Sequence, residues 1–358
     1  MNARQLPPLT GIRFIAVTMV FLFHYDYGYG KVLGAVFHQF YLGVSVFFVL
    51  SGFLICYNYG KSVAINRQFL QRYYTNRLAR IMPLYLVLTT FMFVVLYFGH
   101  EGGNHLFAIY LLNITFIKGF SKSFMFTGIY PAWSLTPEMT FYFLFPFIYT
   151  LISRFNWWAK QILFFWMTGL MLYLLFYLFP FKGFFHDLHF VIITTFFGRC
   201  LEFFLGMKLA LLFTNRQVKT NGNSSVSTVP IYSIVGGTVA IAIIIIQAVI
   251  SPDHAAVNYT AGLVLSQLAF PVAVTVLFFG MLTEVTWFSR LLSASLFQIL
   301  GKSSYAFFLV HTGFIADWMF VLCRDNVLLV YLSVIIISIA LYYFLENPLN
   351  RWIKGVCR

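Results

Sequence analysis

The chain has 358 residues, of which 61% are hydrophobic, 21% aromatic and only 9% charged, and its mean hydropathy is +0.84; this excludes a water-soluble globule. The formal charge of +13 sits on cations scattered between apolar runs, so nucleic acid is not expected as a partner, and the charges read as topology signals and, in a few places, an anion site. Cys56, Cys200, Cys323 and Cys357 lie far apart with no CxxC spacing, which argues against a disulfide framework and a zinc site.

Apolar runs fall near residues 10–29, 37–58, 81–98, 105–119, 133–153, 160–179, 190–213, 231–250, 259–282, 299–322 and 327–345. Most approach the 20 residues that a transmembrane helix needs, so the fold class is all-α, a polytopic membrane bundle. The first run has no small-residue cleavage site after it and is expected to stay as a span. It opens with LTGIRFIAVTMVFLFHY, in which Arg13 and His24 are the only groups that carry charge near neutral pH. Eleven positions at 100° each return to within about 20° of one face, and the two groups stand about 16 Å apart along it. The fourth run, HLFAIYLLNITFIKG, is short and flanked by glycines, which suits a re-entrant or interfacial segment. TNRQVKTNGNSSVSTVP, residues 214–230, reads as a cytoplasmic linker too polar to fold alone, and no second domain or internal repeat is visible, so residues 1–358 are expected to form a single domain.

Charge bias tests the fourth run. If every run crosses, cations outside the spans divide almost evenly between the two sides. If the fourth does not, sixteen fall on the side of the N-terminus, among them Arg67, Arg72, Arg77, Arg80 and Lys302, and five on the other, Lys31, Lys118, Lys122, Lys182 and Arg324. The positive-inside rule therefore predicts ten spans with both termini cytoplasmic. Ionisable groups within spans are costly and mark function or pairing; they are His24, Glu138, Arg199, Glu202, Lys208 and His311, with Asp317 nearer an end. Arg199 and Glu202, three apart, suit an ion pair that fixes helix packing, or a place on a substrate path, and Lys208 suits snorkelling. His186 and His189 have ligand-like spacing but no third ligand, so no metal site is expected.

Several strings in order carry a resemblance. Arg13 and His24 stand in the first span, GVSVFFVLSGFLI in the second, RLARIMPLYL with Arg77 and Arg80 before the third, then PAWSLTPEMTFYFLFP, GRCLEFFLGMKLA, LGKSSYAFFLVHTGF and ENPLNRW. The chain resembles the membrane-bound acyltransferase-3 family, whose members transfer acyl groups, often acetyl, to sugars of envelope polysaccharides. Ser45 stands where many relatives have an acidic residue, and Met139 where many have a second glutamate after Glu138, which concentrates carboxylate chemistry on Glu138. Some relatives carry a hydrolase-like domain after the membrane unit; here the membrane part is expected to complete the transfer alone.

The resemblance implies acetyl-CoA or another acyl-CoA as a co-substrate that is not permanently bound. Its acceptor would be a sugar hydroxyl of an envelope glycan such as lipopolysaccharide O-antigen, and its location a bacterial inner membrane. Fixed guanidinium groups suit the donor's phosphates, which assigns Arg77, Arg80 and Arg13 to donor binding, with the ammonium of Lys302 as a cation to join them. His24 suits a general base whose neutral imidazole takes the proton of an attacking hydroxyl, with Glu138 orienting it; acylation of His24 itself is the alternative. His311, Trp133 and Ser134 would line a substrate path, with Tyr142 as a further aromatic contact to sugar. A second function class, an exporter of a lipid-linked glycan, rests on the same intramembrane charges.

Overall fold

The computed structural model describes residues 6–25, 30–99, 103, 105–219 and 229–356. Arg4, Glu101, Arg358 and the 220–228 part of the expected linker lie outside the described residues. The chain is all-α: α1 (Pro7–His24), α2 (Gly30–Phe37), α3 (Gly43–Tyr59), α4 (Arg67–Phe98), α5 (Leu106–Ile114), α6 (Leu135–Phe155), α7 (Trp158–Leu178), α8 (Leu188–Thr194) and α9 (Phe196–Lys219). These are followed by α10 (Ile231–Ile250), α11 (Thr260–Val264), α12 (Phe270–Thr283), α13 (Trp287–Ser293), α14 (Ser295–Lys302), α15 (Ser304–Val310), α16 (Phe314–Leu322), α17 (Val327–Leu341) and α18 (Asn347–Val356). Among the described residues, nine helical stretches are long and apolar enough to cross a membrane, and ten if α15 and α16 count as one bent span.

This agrees with the span reading, including the fourth run. There α5 has nine residues, about 14 Å at 1.5 Å per residue and less than half a bilayer core. Helix ends follow local chemistry. The Asn66, Asp187, Thr286 and Asn326 side chains accept backbone N–H bonds at the starts of α4, α8, α13 and α17, and Asn156 closes α6 in a left-handed conformation.

Two expectations are corrected. The 299–322 run is not one helix: α14, α15 and α16 are separate, and α15 and α16 meet at 80° where Gly313 adopts φ +78°, a conformation closed to most other residues. The expected linker is helical as far as Lys219, because α9 continues past its apolar part. The chain groups into two compact units, each made of two separate stretches: unit 1 of residues 1–61 and 201–304, unit 2 of residues 62–200 and 305–358.

In unit 1, α3 and the C-terminal part of α9 pack backbone to backbone. A Cβ on Gly52 would stand 2.1 Å from the Phe203 carbonyl oxygen and one on Gly206 2.0 Å from that of Val49, a small-residue interface of the kind that holds membrane helices together. Beside it Phe48 stacks on Phe203 at 4.8 Å. Glu284 closes the α10·α12 hairpin by accepting from the Tyr232 and Ser233 N–H groups at 2.7 and 2.9 Å. Buried Gln39 ties α2 to the 251–256 loop through Ser251, His254 and Ala256.

In unit 2, α4 and α6 are joined by Tyr73 and Tyr74, whose hydroxyls donate to the Tyr142 and Phe143 carbonyls at 3.0 and 2.9 Å. The segment between α5 and α6 folds around Lys118. Lys118, one of the five cations read as outer charges, is fully buried, and its Nζ donates to the Thr127 and Ile129 carbonyls at 2.6 and 2.8 Å. Burial pushes its pKa down to about 7.

Candidate active site

In unit 1, α1 is held by close backbone approach on several sides. A Cβ on Gly11 would stand 2.2 Å from the Leu292 carbonyl oxygen, one on Gly301 2.0 Å from that of Thr10, and one on Gly43 2.4 Å from that of Ala16. The helix therefore cannot turn about its axis without breaking these contacts, which fixes where Arg13 and His24 point. Both are half-buried. His24 occupies the last turn, with Nδ1 2.8 Å from the Val20 carbonyl oxygen. In the neutral ring this carbonyl takes the Nδ1 proton, so the basic lone pair lies on Nε2. Lys302 is exposed at the end of α14, and the Gly301–Thr10 approach brings it to the same end of α1 as Arg13.

In unit 2, α4 presents buried Arg77 and half-buried Arg80. Half-buried Glu138 lies in the first turn of α6 and accepts a short hydrogen bond from the Tyr142 hydroxyl one turn on. Tyr142 lies within electrostatic reach of Glu138, Arg80 and Arg77, so the carboxylate the sequence assigned to catalysis and the arginines it assigned to the donor share one neighbourhood. Tyr305 donates to the Ile81 carbonyl at 2.8 Å and is within reach of Glu346, Tyr85, Glu138 and Tyr142. Buried Glu346 ends a π-helical turn, Tyr342–Glu346, and Tyr342 feels the charges of Glu346, Arg351 and Arg80.

The result is a cluster of arginines, carboxylates and phenols inside an apolar unit. Sequence reasoning missed Tyr305 and Glu346. The signal for Glu346 was present: it immediately follows the eleventh apolar run, two residues before Pro348, and drawing that run to 345 left it outside the span.

The remaining candidates divide. Arg199 and Glu202 are both buried, on α9. His311, expected in mid-helix, is buried at the α15–α16 break, with Nδ1 2.8 Å from the Phe308 carbonyl oxygen. Trp133 packs against Met125, Phe185, Phe190 and Val191, and the Ser134 hydroxyl donates to the Pro131 carbonyl at 3.1 Å, so both shape the turn that starts α6. Asp187 receives His186 and Lys122, each at 3.0 Å, and caps α8 through the Phe190 N–H. Partial burial works against its charge, but those bonds hold its pKa down to about 2.

Residues 8–346 match the family described as Acyltransferase domain. Acyltransferase MdmB of Streptomyces mycarofaciens is 31% identical over 179 residues, 43% of this chain and 43% of that protein. "Putative O-acetyltransferase SACOL0978" of Staphylococcus aureus strain COL is 26% identical over 374 residues, 97% of this chain and 58% of that protein. The same figures hold for "Putative O-acetyltransferase SAS0844" of strain MSSA476. The chain thus spans about half the length of these relatives. No solved structure matches it. The family expected from the ordered motifs is borne out over nearly the whole sequence: the chain belongs to the acyltransferase family.

Proposed function

We propose that this multi-pass membrane protein is an O-acyltransferase. It takes an acyl group, acetyl in our reading, from cytoplasmic acyl-CoA to a sugar hydroxyl of an envelope glycan such as lipopolysaccharide O-antigen, in a bacterial inner membrane with both termini in the cytoplasm. The observation that carries this reading is the polar cluster of unit 2. Two arginines, one buried and one half-buried, beside carboxylates and phenols are costly in an apolar interior and suit a polyanionic ligand. Arg77 and Arg80 hold the donor's phosphates. His24 Nε2 takes the proton of the acceptor hydroxyl. The alkoxide oxygen attacks the thioester carbonyl, the C–O bond forms, the C–S bond breaks, and the imidazolium returns its proton to the departing thiolate. Arg13 and His24 stand about 16 Å apart along α1, a separation comparable to the length of a pantetheine arm.

Mass spectrometry of envelope glycans from cells with and without the gene tests this. We expect one acyl increment that disappears in the deletion and in His24→Ala, with normal polysaccharide at the surface. An increment that persists in His24→Ala cells overturns the base assignment. Loss of the polysaccharide itself, in place of its decoration, makes the protein an exporter.

A further inference from the structure

A cavity in unit 2 opens between α4, the Gly128–Ile129 turn and the α15–α16 break, lined by Leu88, Phe91, Met92, Ile129, Thr312 and Gly313 among others. Three features assign it. Its lining is apolar except at one point: the Thr312 hydroxyl is buried and has no hydrogen-bond partner among the described residues. Such a donor is costly to leave unused. Its volume is about 30 Å³, room for roughly two water-sized groups, which matches an acetyl group. Its position is set by α4, which is one continuous helix from Arg67 to Phe98. Leu88 lies eleven residues beyond Arg77, about 16 Å along the axis, and Leu88, Phe91 and Met92 all fall within about 60° of the face that carries Arg77.

We infer that this cavity receives the acyl group of a thioester donor whose phosphates are held by Arg77 and Arg80, with Thr312 donating to the thioester carbonyl oxygen. The inference rests on the donor reading above and adds the determinant of acyl length. Leu88 and Met92 form the wall on the arginine-bearing face, while Phe91, 53% exposed, stands at the mouth.

The test uses the full-length protein in membrane vesicles, with acetyl-, butyryl- and hexanoyl-CoA as donors and the producing cells' own glycan as acceptor. Binding of the same thioesters to the purified protein serves as a second measurement, and detergent elution profiles check folding. Wild type should prefer acetyl. Leu88→Ala and Met92→Ala should each raise kcat/KM for butyryl relative to acetyl about tenfold, the scale of a methylene or two in an apolar pocket. Thr312→Val should lower kcat/KM for all three donors together.

An unmoved acyl ratio in both enlarged variants, in transfer and in binding, overturns the assignment. So does a wild type that uses hexanoyl as well as acetyl. A changed acceptor KM at constant acyl ratio gives the cavity to the acceptor and also overturns it. A wild type that transfers no acyl group from any of these thioesters refutes the proposed function itself, whereas transfer with an unmoved ratio refutes only the cavity assignment.

Discussion

Lys118→Met removes a cation from a site where it is fully buried and keeps the aliphatic stem, so the loss is almost purely polar. In the wild type the amine satisfies the Thr127 and Ile129 carbonyls at 2.6 and 2.8 Å; the methionine leaves both without that donor, at about 1–3 kcal/mol each. The size of the effect depends on pH. Lys118 has a folded-state pKa of about 7 against 10.5 for a free lysine, so between those limits the unfolded chain binds more protons than the folded one. Its contribution is complete above the unfolded value and declines as pH falls through this window to about 7, below which it is constant. The slope is at most about 1.4 kcal/mol per pH unit. Wild type and Lys118→Met should therefore differ by about 2–4 kcal/mol at pH 9 and by about 2–3 kcal/mol less at pH 7. Thermal unfolding of both proteins in the same detergent from pH 6 to 9.5 measures this, and the difference cancels the titration of the buried tyrosines. A gap that is constant across the range, or that widens as pH falls, refutes the burial argument.

Gly52→Ala drives a methyl to 2.1 Å from the Phe203 carbonyl oxygen and should cost about 2–3 kcal/mol, read as a lowered Tm, whereas Gly355→Ala, in open space, should not move it. Glu284→Ala deprives two N–H groups at the start of α10 of their acceptor and should cost about 1–2 kcal/mol, visible as faster backbone hydrogen exchange confined to the first turn of α10. Tyr142→Phe removes the hydroxyl that donates to Glu138. It should lower kcat about tenfold in the vesicle transfer assay; an unchanged kcat would mean that this bond has no part in turnover.

The helical class and the span count were legible because lipid demands about 20 apolar residues per crossing, and the exclusion of residues 105–119 because cations report topology. Glu138 was legible as a charge out of place and Arg77 and Arg80 as paired cations before a span, and all three lie within electrostatic reach of Tyr142. The division into two units was not, since it depends on which apolar faces meet and the faces are chemically alike. The burial of Lys118 was not legible, because a lysine in a polar loop and one pinned by two carbonyls are identical in sequence. Tyr305 was hidden among 22 tyrosines, where residue type carries no information without position.

The irregular parts of the helices carry a separate lesson. In lipid a backbone group freed from its ladder has no water to bond, so irregular backbone persists only where protein or a cavity receives it. Two interruptions in unit 2 obey this. The π-turn at Tyr342–Glu346 ends on a buried carboxylate, and the 80° break between α15 and α16 holds buried His311 and the Thr312 hydroxyl. Neither feature follows from hydropathy, since the runs that contain them look continuous. Both strings, ENPLNRW and LGKSSYAFFLVHTGF, were nevertheless singled out as motifs. A motif that combines a charge or histidine with glycine or proline at the edge of an apolar run is therefore better read as a place where the helix departs from regularity, and departures of this kind are where an apolar protein can hold polar groups for a polar ligand.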